Sequence, residues 1–458
     1  MPDPAPPDEA SLSPALVALA ALVVAASPWP SDWDGVGFAR AVDVFDLARW
    51  QPHAPGYPVV VLAARAVDRL ARQPAWSCAA VSAVGGALVV AAVARWRGLG
   101  AWSLAALASP VLVYVCTQAR SDGLGLGLAS LALAVGRGEP SPSRCALAGA
   151  FASLALGARP GYAVLVATIA IAAMVAWGKS PRARAAGAGA FLGTSVLWGA
   201  WLLRAAGGFA HYREALATQA AGHFRAWGGS AWTEPDPAGR LTAAARSVAL
   251  ALGADGGSLG WTRVATWCGL AVVGARALGR REVAYVAALV APYTLVAFAT
   301  QNLAREPRHL LPAALALMAV AAHGLRALAT TRVRRALAAT LIVALAAPAL
   351  ETAWVGRTER PPAVALGDFI RATPRAAVFG GRSARSAAWR GAAAYEAATG
   401  GEVTVTLERL PRLPARVFVT DEVPGVRGAT SVGRFCRAAP WRGGAECVGL
   451  AELPRRGR

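Results

Sequence analysis

The stretch WSCAAVSAVGGALVVAAVA (76–94), followed at once by RWRG (95–98), decides the fold class. Its 19 residues carry no charge, and about 17–25 such residues cross the hydrocarbon core of a bilayer as a helix. The arginine pair behind the run reads as a loop on the cytoplasmic side. Further apolar runs lie at 12–30, 101–118, 122–136, 185–204, 259–277, 283–300, 309–327 and 336–352. The stretch 145–178 is too long for one span, and Arg159-Pro160 divides it in two. The stretch 57–71 is only 15 residues long and carries Arg65, Asp68 and Arg69. It reads as a helix that packs at the membrane surface or enters partway.

Composition points the same way. Of 458 residues, 56% are hydrophobic and 16% charged, against about 25% charged in a typical soluble domain. This excludes an ordinary cytosolic enzyme, and there is no glycine period, disordered composition or cysteine-rich scaffold. The formal charge is +20, from 46 Lys+Arg against 26 Asp+Glu, with Lys179 the only lysine. In a soluble protein such a balance would suggest nucleic acid. Here the arginines sit in short clusters between apolar stretches, so no nucleic-acid partner is expected. The N-terminus, MPDPAPPDEA, is acidic and Pro-rich, without the positive region of a signal peptide. Residues 1–11 are expected to be disordered, and the first apolar run to remain as a span.

The basic loops RWRG (95–98), GRGEPSPSR (136–144), KSPRAR (179–184), RALGRRE (276–282) and RALATTRVRR (326–335) alternate with the spans. The alternation is regular if the N-terminus is inside and 57–71 does not cross. The outside then receives a first loop (31–56), TQARSD (117–122), the Arg159 corner, a middle loop (205–258), QNLAREPRH (301–309) and everything beyond about 353. In that last part AAVFG (376–380), EVTVTL (402–407) and RVFVT (416–420) read as strands, and 384–399 as a helix. A final hairpin is expected around Cys436 and Cys447, which would form a disulfide outside the cytoplasm and stay thiols inside it. Cys78, Cys116, Cys145 and Cys268 read as small core residues. The expected fold is therefore a membrane all-α bundle of roughly 10–12 helices (12–352). A small extracytoplasmic α/β domain (353–458) follows it.

The unusual polar residues fall on the outside. SDWDGVGFARAVDVFDLARWQPHAPGYP (31–58) opens with Asp32 and Asp34. Phe38, Ala41, Val42, Phe45 and Ala48 then recur at helical spacing, as in a helix lying in the interface plane. The two aspartates suit a helix cap; equally, they are placed for proton abstraction or for a divalent cation such as Mg or Mn. Pro52, Pro55 and Pro58 then present His53 and Tyr57, either as a rigid corner or as part of a site.

An acid after the first span, a surface helix and then H-x-P-G-Y-P resemble the glycosyltransferase-C superfamily. The protein mannosyltransferase/aminoarabinose transferase branch is the most similar. ASPVLVYVCTQARSDGLGLGLASLALA (108–134), LALGARPGYAVLV (154–166) and NLAREPRHLLPAALAL (302–317) are similar to later segments of that family, in the same order. The resemblance implies an enzyme of the inner (plasma) membrane that takes a sugar from a polyprenyl-phosphate carrier on the outer side. The acceptor is an unknown glycan, lipid or protein. By position, Asp34 resembles the catalytic acid, with Asp32 second and Asp122 the acid of the next outside loop. Arg305 and Arg308 resemble residues near the carrier phosphate. Gly37 and His53 stand where the strongest branches carry an aromatic or a cation.

Arg120, Arg159, Arg305 and Arg308 all fall at outside ends of spans. There they can hold phosphate, or snorkel and pair with Asp122 and Glu306. His211, His223, Trp227, Trp232 and Glu234 of the middle loop either line an acceptor site or anchor the interface. The spacing of the two histidines makes no zinc site. The competing reading is a transporter or lipid flippase, which charges along the middle of spans would favour; a degenerate structural homologue is the third.

Overall fold

The computed structural model describes residues 13–178, 180–226, 229–372, 376–379, 416–420 and 430–452. α1 (Ser13–Val24), α2 (Trp33–Asp43), α3 (Pro58–Ala71) and α4 (Pro74–Arg95) open the bundle. The run 101–118 is not one straight span: a 3-10 stretch, Gly100–Ala108, meets α5 (Pro110–Thr117) at 87°. Pro110 lacks the N–H that would carry the helix through this point, and the Ser109 hydroxyl instead caps Leu112 N–H at 3.2 Å.

α6 (Asp122–Gly136), α7 (Pro142–Ala158) and α8 (Ala163–Ala176) follow, with the break at Arg159-Pro160 as expected. After α9 (Pro181–Ala205), the segment read as the middle loop folds into α10 (Phe209–Ala221) and α11 (Pro237–Ala251). α12 (Ser258–Leu278), α13 (Arg280–Thr300) and α14 (Leu311–Leu328) are next. α15 (Arg332–Leu345) and α16 (Ala347–Thr358) share the last apolar run, bent by 45°, so α16 runs through the boundary read at 352.

Pro74–Gly98, Pro181–Ala205, Arg280–Thr300 and Pro307–Leu328 are long and apolar enough to cross a membrane; the two bent pairs raise this to six among the described residues. α1, α6 and Pro160–Ala176 are shorter apolar helices. At 14 residues, α3 is about 21 Å long, short of the roughly 30 Å hydrocarbon core. α9 exposes Leu192, Val196 and Leu197, and α8 exposes Ile171 and Val175. Such outward apolar rows need lipid to cover them.

α17 (Pro362–Ala372) leads to a four-stranded sheet of β1 (Ala376–Phe379), β2 (Arg416–Thr420), β3 (Thr430–Ala439) and β4 (Gly444–Glu452), in the order β1-β2-β4-β3. Only the β1–β2 pair is parallel. Cys436 and Cys447 face each other across the β3–β4 hairpin and form a disulfide. Cys78, Cys116 and Cys145 are buried, whereas Cys268 is exposed. The N-terminal 1–11, the helix read at 384–399 and the strand read at 402–407 lie outside the described residues.

α2 departs from its sequence reading. It ends at Asp43, because Val44 is extended and the Asp46 carboxylate turns back to Ala48 N–H and Arg49 N–H. That local turn competes with helix continuation, leaving Phe45 and Ala48 beyond the helix. Phe38, Ala41 and Val42 are buried against α3 and α4 rather than turned to lipid. Gly37 explains part of this packing, since a β-carbon there would strike the Trp50 carbonyl.

The polar loops gather at two ends. At one end Arg97, Arg137, Glu282 and Arg326 meet, each from a different loop read as inside. Trp177, just ahead of the fifth such loop, donates to Gly136 O at 2.9 Å. At the other end lie Asp34, Arg120, Asp122, Arg159 and Arg308. α6 connects the two, with Asp122 in its first turn and Arg137 just past its last.

Candidate active site

The charged centre is built by close backbone packing. A β-carbon on Gly123 or Gly127 of α6 would run into the α4 backbone near Ser82 and Gly85, so glycine brings the two helices into contact. This draws the Arg120 turn inward, and its carbonyl accepts from the Ser82 hydroxyl at 2.5 Å. Arg120 is fully buried. Its guanidinium bonds Asp32, reaches Asp34 Oδ2 at 3.5 Å and donates to the Tyr114 hydroxyl at 2.7 Å.

The two aspartates divide the readings made of them. Asp32 is the N-cap of α2, accepting from Gly35 N–H at 3.0 Å. Asp34 does not cap. Its Oδ2 accepts from Arg308 Nη2 at 2.8 Å, and its Oδ1 lies 3.6 Å from His53 Nδ1. His53 Nε2 and the Tyr57 hydroxyl are 2.6 Å apart, so the proline corner serves to aim an imidazole at Asp34. Burial alone would raise the Asp34 pKa, but the charges of His53, Arg308 and Arg159 and the Arg308 hydrogen bond outweigh it. The carboxyl is held well below the usual range. Burial pushes the Tyr57 hydroxyl pKa up, which keeps it a neutral partner.

Asp122 is buried between Arg159 Nη2 at 3.1 Å and Arg308 Nη1 at 3.4 Å. Arg159 also donates to Ser121 Oγ at 3.0 Å and lies 5.9 Å from the Tyr57 ring centroid. Arg308 therefore ties Asp34, Asp122 and Glu306 together, its Nε lying 3.2 Å from Glu306 Oε2. Of the sequence-read residues, Asp32, Asp34, His53, Tyr57, Arg120, Asp122, Arg159 and Arg308 form one network. Arg305 is exposed, with its backbone N–H on Asn302 Oδ1, and His223 Nε2 lies 2.6 Å from Thr300 O. Neither joins the network. His211 Nδ1 lies 2.9 Å from Gly207 O, Trp232 packs on Phe224, and Trp227 lies outside the described residues.

Sequence reasoning missed the hairpin's part. The turn between β3 and β4 stacks Trp441 on Tyr114, with ring centroids 4.4 Å apart at 10°, and Arg442 Nη2 lies 3.5 Å from Glu306 Oε1. Tyr114 leads to Arg120 and Glu306 to Arg308, so two chains of contact run from the hairpin to Asp34. The only signal in the sequence was an aromatic-basic pair between two cysteines. Trp441→Ala is expected to lower stability by about 0.5–1.5 kcal/mol beyond the lost burial, the worth of such an aromatic pair. Trp441→Phe keeps most of it, and thermal unfolding of the purified protein checks both.

Asp32 and Asp34 both meet the Arg120 guanidinium. No group of three or more His, Cys, Asp or Glu suited to a metal occurs among the described residues.

Fold and site together define a polytopic helical membrane protein with a buried aspartate–arginine centre at one end of its bundle. The solved structure of ArnT from Cupriavidus metallidurans bound to undecaprenyl phosphate is similar to it, with a TM-score of 0.57 over 97% of this chain and 98% of that one. Identity is 14%. The likeness is one of fold. No family model and no curated protein matches the chain.

Proposed function

We propose that the protein is an integral membrane glycosyltransferase that moves a sugar from a polyprenyl-phosphate carrier to an acceptor hydroxyl. The observation that carries this reading is Asp34: a partly exposed carboxylate, not used as a cap, held by arginines suited to phosphate. In the reaction the acceptor O–H gives its proton to Asp34, and its oxygen attacks the anomeric carbon. The bond from that carbon to the phosphate oxygen breaks, and its electron pair stays on the phosphate. One displacement inverts the anomeric centre.

Arg308 and Arg120 neutralise the charge gained by the leaving phosphate. As Arg308 turns from Asp34 to that phosphate, the carboxylate loses a cation and becomes a stronger base. Exposed Arg305 meets the headgroup at the rim. Because Asp32 and Asp34 are spoken for by Arg120, we expect a chelator to leave transfer unchanged. A fall in rate restored by Mg or Mn would reverse that expectation.

The active end and the domain from 353 to 458 face away from the cytoplasm in the inner (plasma) membrane. A reporter active only in the cytoplasm, fused after Arg458, is expected to stay silent. Cytoplasmic reporter activity would invert the assignment. Purified protein in liposomes separates this function from a flippase. With acceptor present the enzyme releases polyprenyl phosphate and makes glycosylated product, whereas a flippase moves the lipid with its sugar still attached.

A further inference from the structure

Apart from Asp34 and its arginines, the bundle holds a cavity of about 250 Å³ among α4, α6, α8, α13 and α14. Its walls are apolar, with Val89, Leu126, Leu133, Ile169, Val290 and Leu315 among them. At the other end it is lined by Arg95, Trp96, Arg97 and Arg137. From Leu126 to Arg137 along α6 is about 16 Å at 1.5 Å per residue, so the cavity is a slot with a basic mouth.

The mouth has more positive charge than its own structure uses. Glu282 is the acid within it, accepting from Trp96 Nε1 at 2.9 Å, Arg97 Nη2 at 2.9 Å and Arg137 Nη2 at 2.6 Å. Three arginines against one carboxylate leave a charge of +2. Arg95 is exposed and has no ion-pair partner among the described residues. The Arg97 side chain is 59% exposed, so it can reach a ligand while still touching Glu282. Arg326 holds the turn from beneath, donating to Arg97 O at 2.7 Å and Gly98 O at 2.9 Å.

An apolar slot under a net-positive rim is complementary to an anion carrying a hydrocarbon chain. We propose that this cavity binds an anionic phospholipid, with one acyl chain in the slot and the headgroup phosphate on Arg97 and Arg137. Basic pockets between membrane helices on the side of anionic lipid behave this way, and guanidinium suits phosphate by its paired donors. The site lies at the opposite end of α6 from Asp122. Its chain would touch Leu126, one turn from that aspartate, and so brace the helix that carries the charged centre.

The test reads lipid binding, not transfer, so its outcome does not depend on the enzymatic reading. Purified full-length protein is mixed with phosphatidylglycerol or phosphatidylcholine, and retained lipid is measured by native mass spectrometry. Phosphatidylglycerol is expected to be retained about ten-fold better. The triple variant Arg97→Gln/Arg137→Gln/Glu282→Gln removes the two proposed phosphate ligands together with the carboxylate they pair with, leaving only exposed Arg95 charged at the mouth, and should remove most of that preference. Ala316→Phe, which fills the slot from α14 while leaving the mouth intact, should lower retention of phosphatidylglycerol. Equal retention of the two lipids, or retention unchanged in both variants while they stay folded, overturns the proposal. So does displacement of phosphatidylglycerol by polyprenyl phosphate that Ala316→Phe prevents and the mouth variant does not. That pattern would give the slot to the carrier's tail.

Discussion

Asp34→Asn is expected to lower sugar transfer by about 10²–10⁴-fold, the contribution of a positioned base. The variant should stay folded. The cap of α2 belongs to Asp32, so the helix start does not depend on Asp34. Arg308 keeps Asp122 and Glu306, and Arg120 keeps Asp32, so neither guanidinium is left alone. Binding of the carrier should hold or tighten, since Arg308 gives up one competitor for the phosphate. Asp32→Asn makes the matching control. Asn caps a helix about as well as Asp, so its loss is that of a charge on Arg120 and should cost less. Both variants are compared by single-turnover transfer in liposomes, with carrier binding measured alongside. Near wild-type turnover in Asp34→Asn would remove Asp34 from the reaction and leave Asp122 as the next acid to test.

Spans and breaks were legible because the bilayer imposes a length and proline imposes a stop. Runs at 76–94, 185–204 and 283–300 became α4, α9 and α13, and Arg159-Pro160 separated α7 from α8. The bend at Ser109-Pro110 was present in the sequence as well, but an apolar run hides it, since composition carries no direction. α10 and α11 escaped notice because each is too short and too charged to read as a span, α10 carrying Arg213 and Glu214 and α11 carrying Arg240 and Arg246. Charged residues at the span ends read as outside could be named one by one. Their mutual pairing could not, because Arg308 meets Asp34 across 274 positions. Phe45 shows the converse error. A period of 3.6 continued on paper past the point where the Asp46 turn ended the helix.

Arg308→Ala should produce the second large loss, by a different route. Removal of one donor to a developing oxyanion costs about 10²–10³-fold in kcat, and loss of a ground-state phosphate contact should raise the KM for the carrier sugar as well. The fold has reserves against this change. Asp122 retains Arg159, Glu306 retains Arg442, and Asp34 retains Arg120 and His53. Arg308→Lys restores charge without the fork that bonds Asp34 and Asp122 together, so it should recover only part of the rate. A pH profile distinguishes this from simple damage. Arg308 helps hold the Asp34 pKa below the usual carboxylate range, so the acid limb of kcat/KM lies low in the wild type. Removing the cation lets that pKa rise, and the limb should move upward toward about 3.9, the ordinary aspartate value. A group with a depressed pKa stabilises the fold above its unfolded pKa and loses that contribution as pH falls. Arg308→Ala should therefore also soften the acid dependence of unfolding. An unchanged KM, kcat and acid limb in Arg308→Ala would show that the guanidinium serves only to neutralise buried acids, and the phosphate site would have to be sought around Arg120.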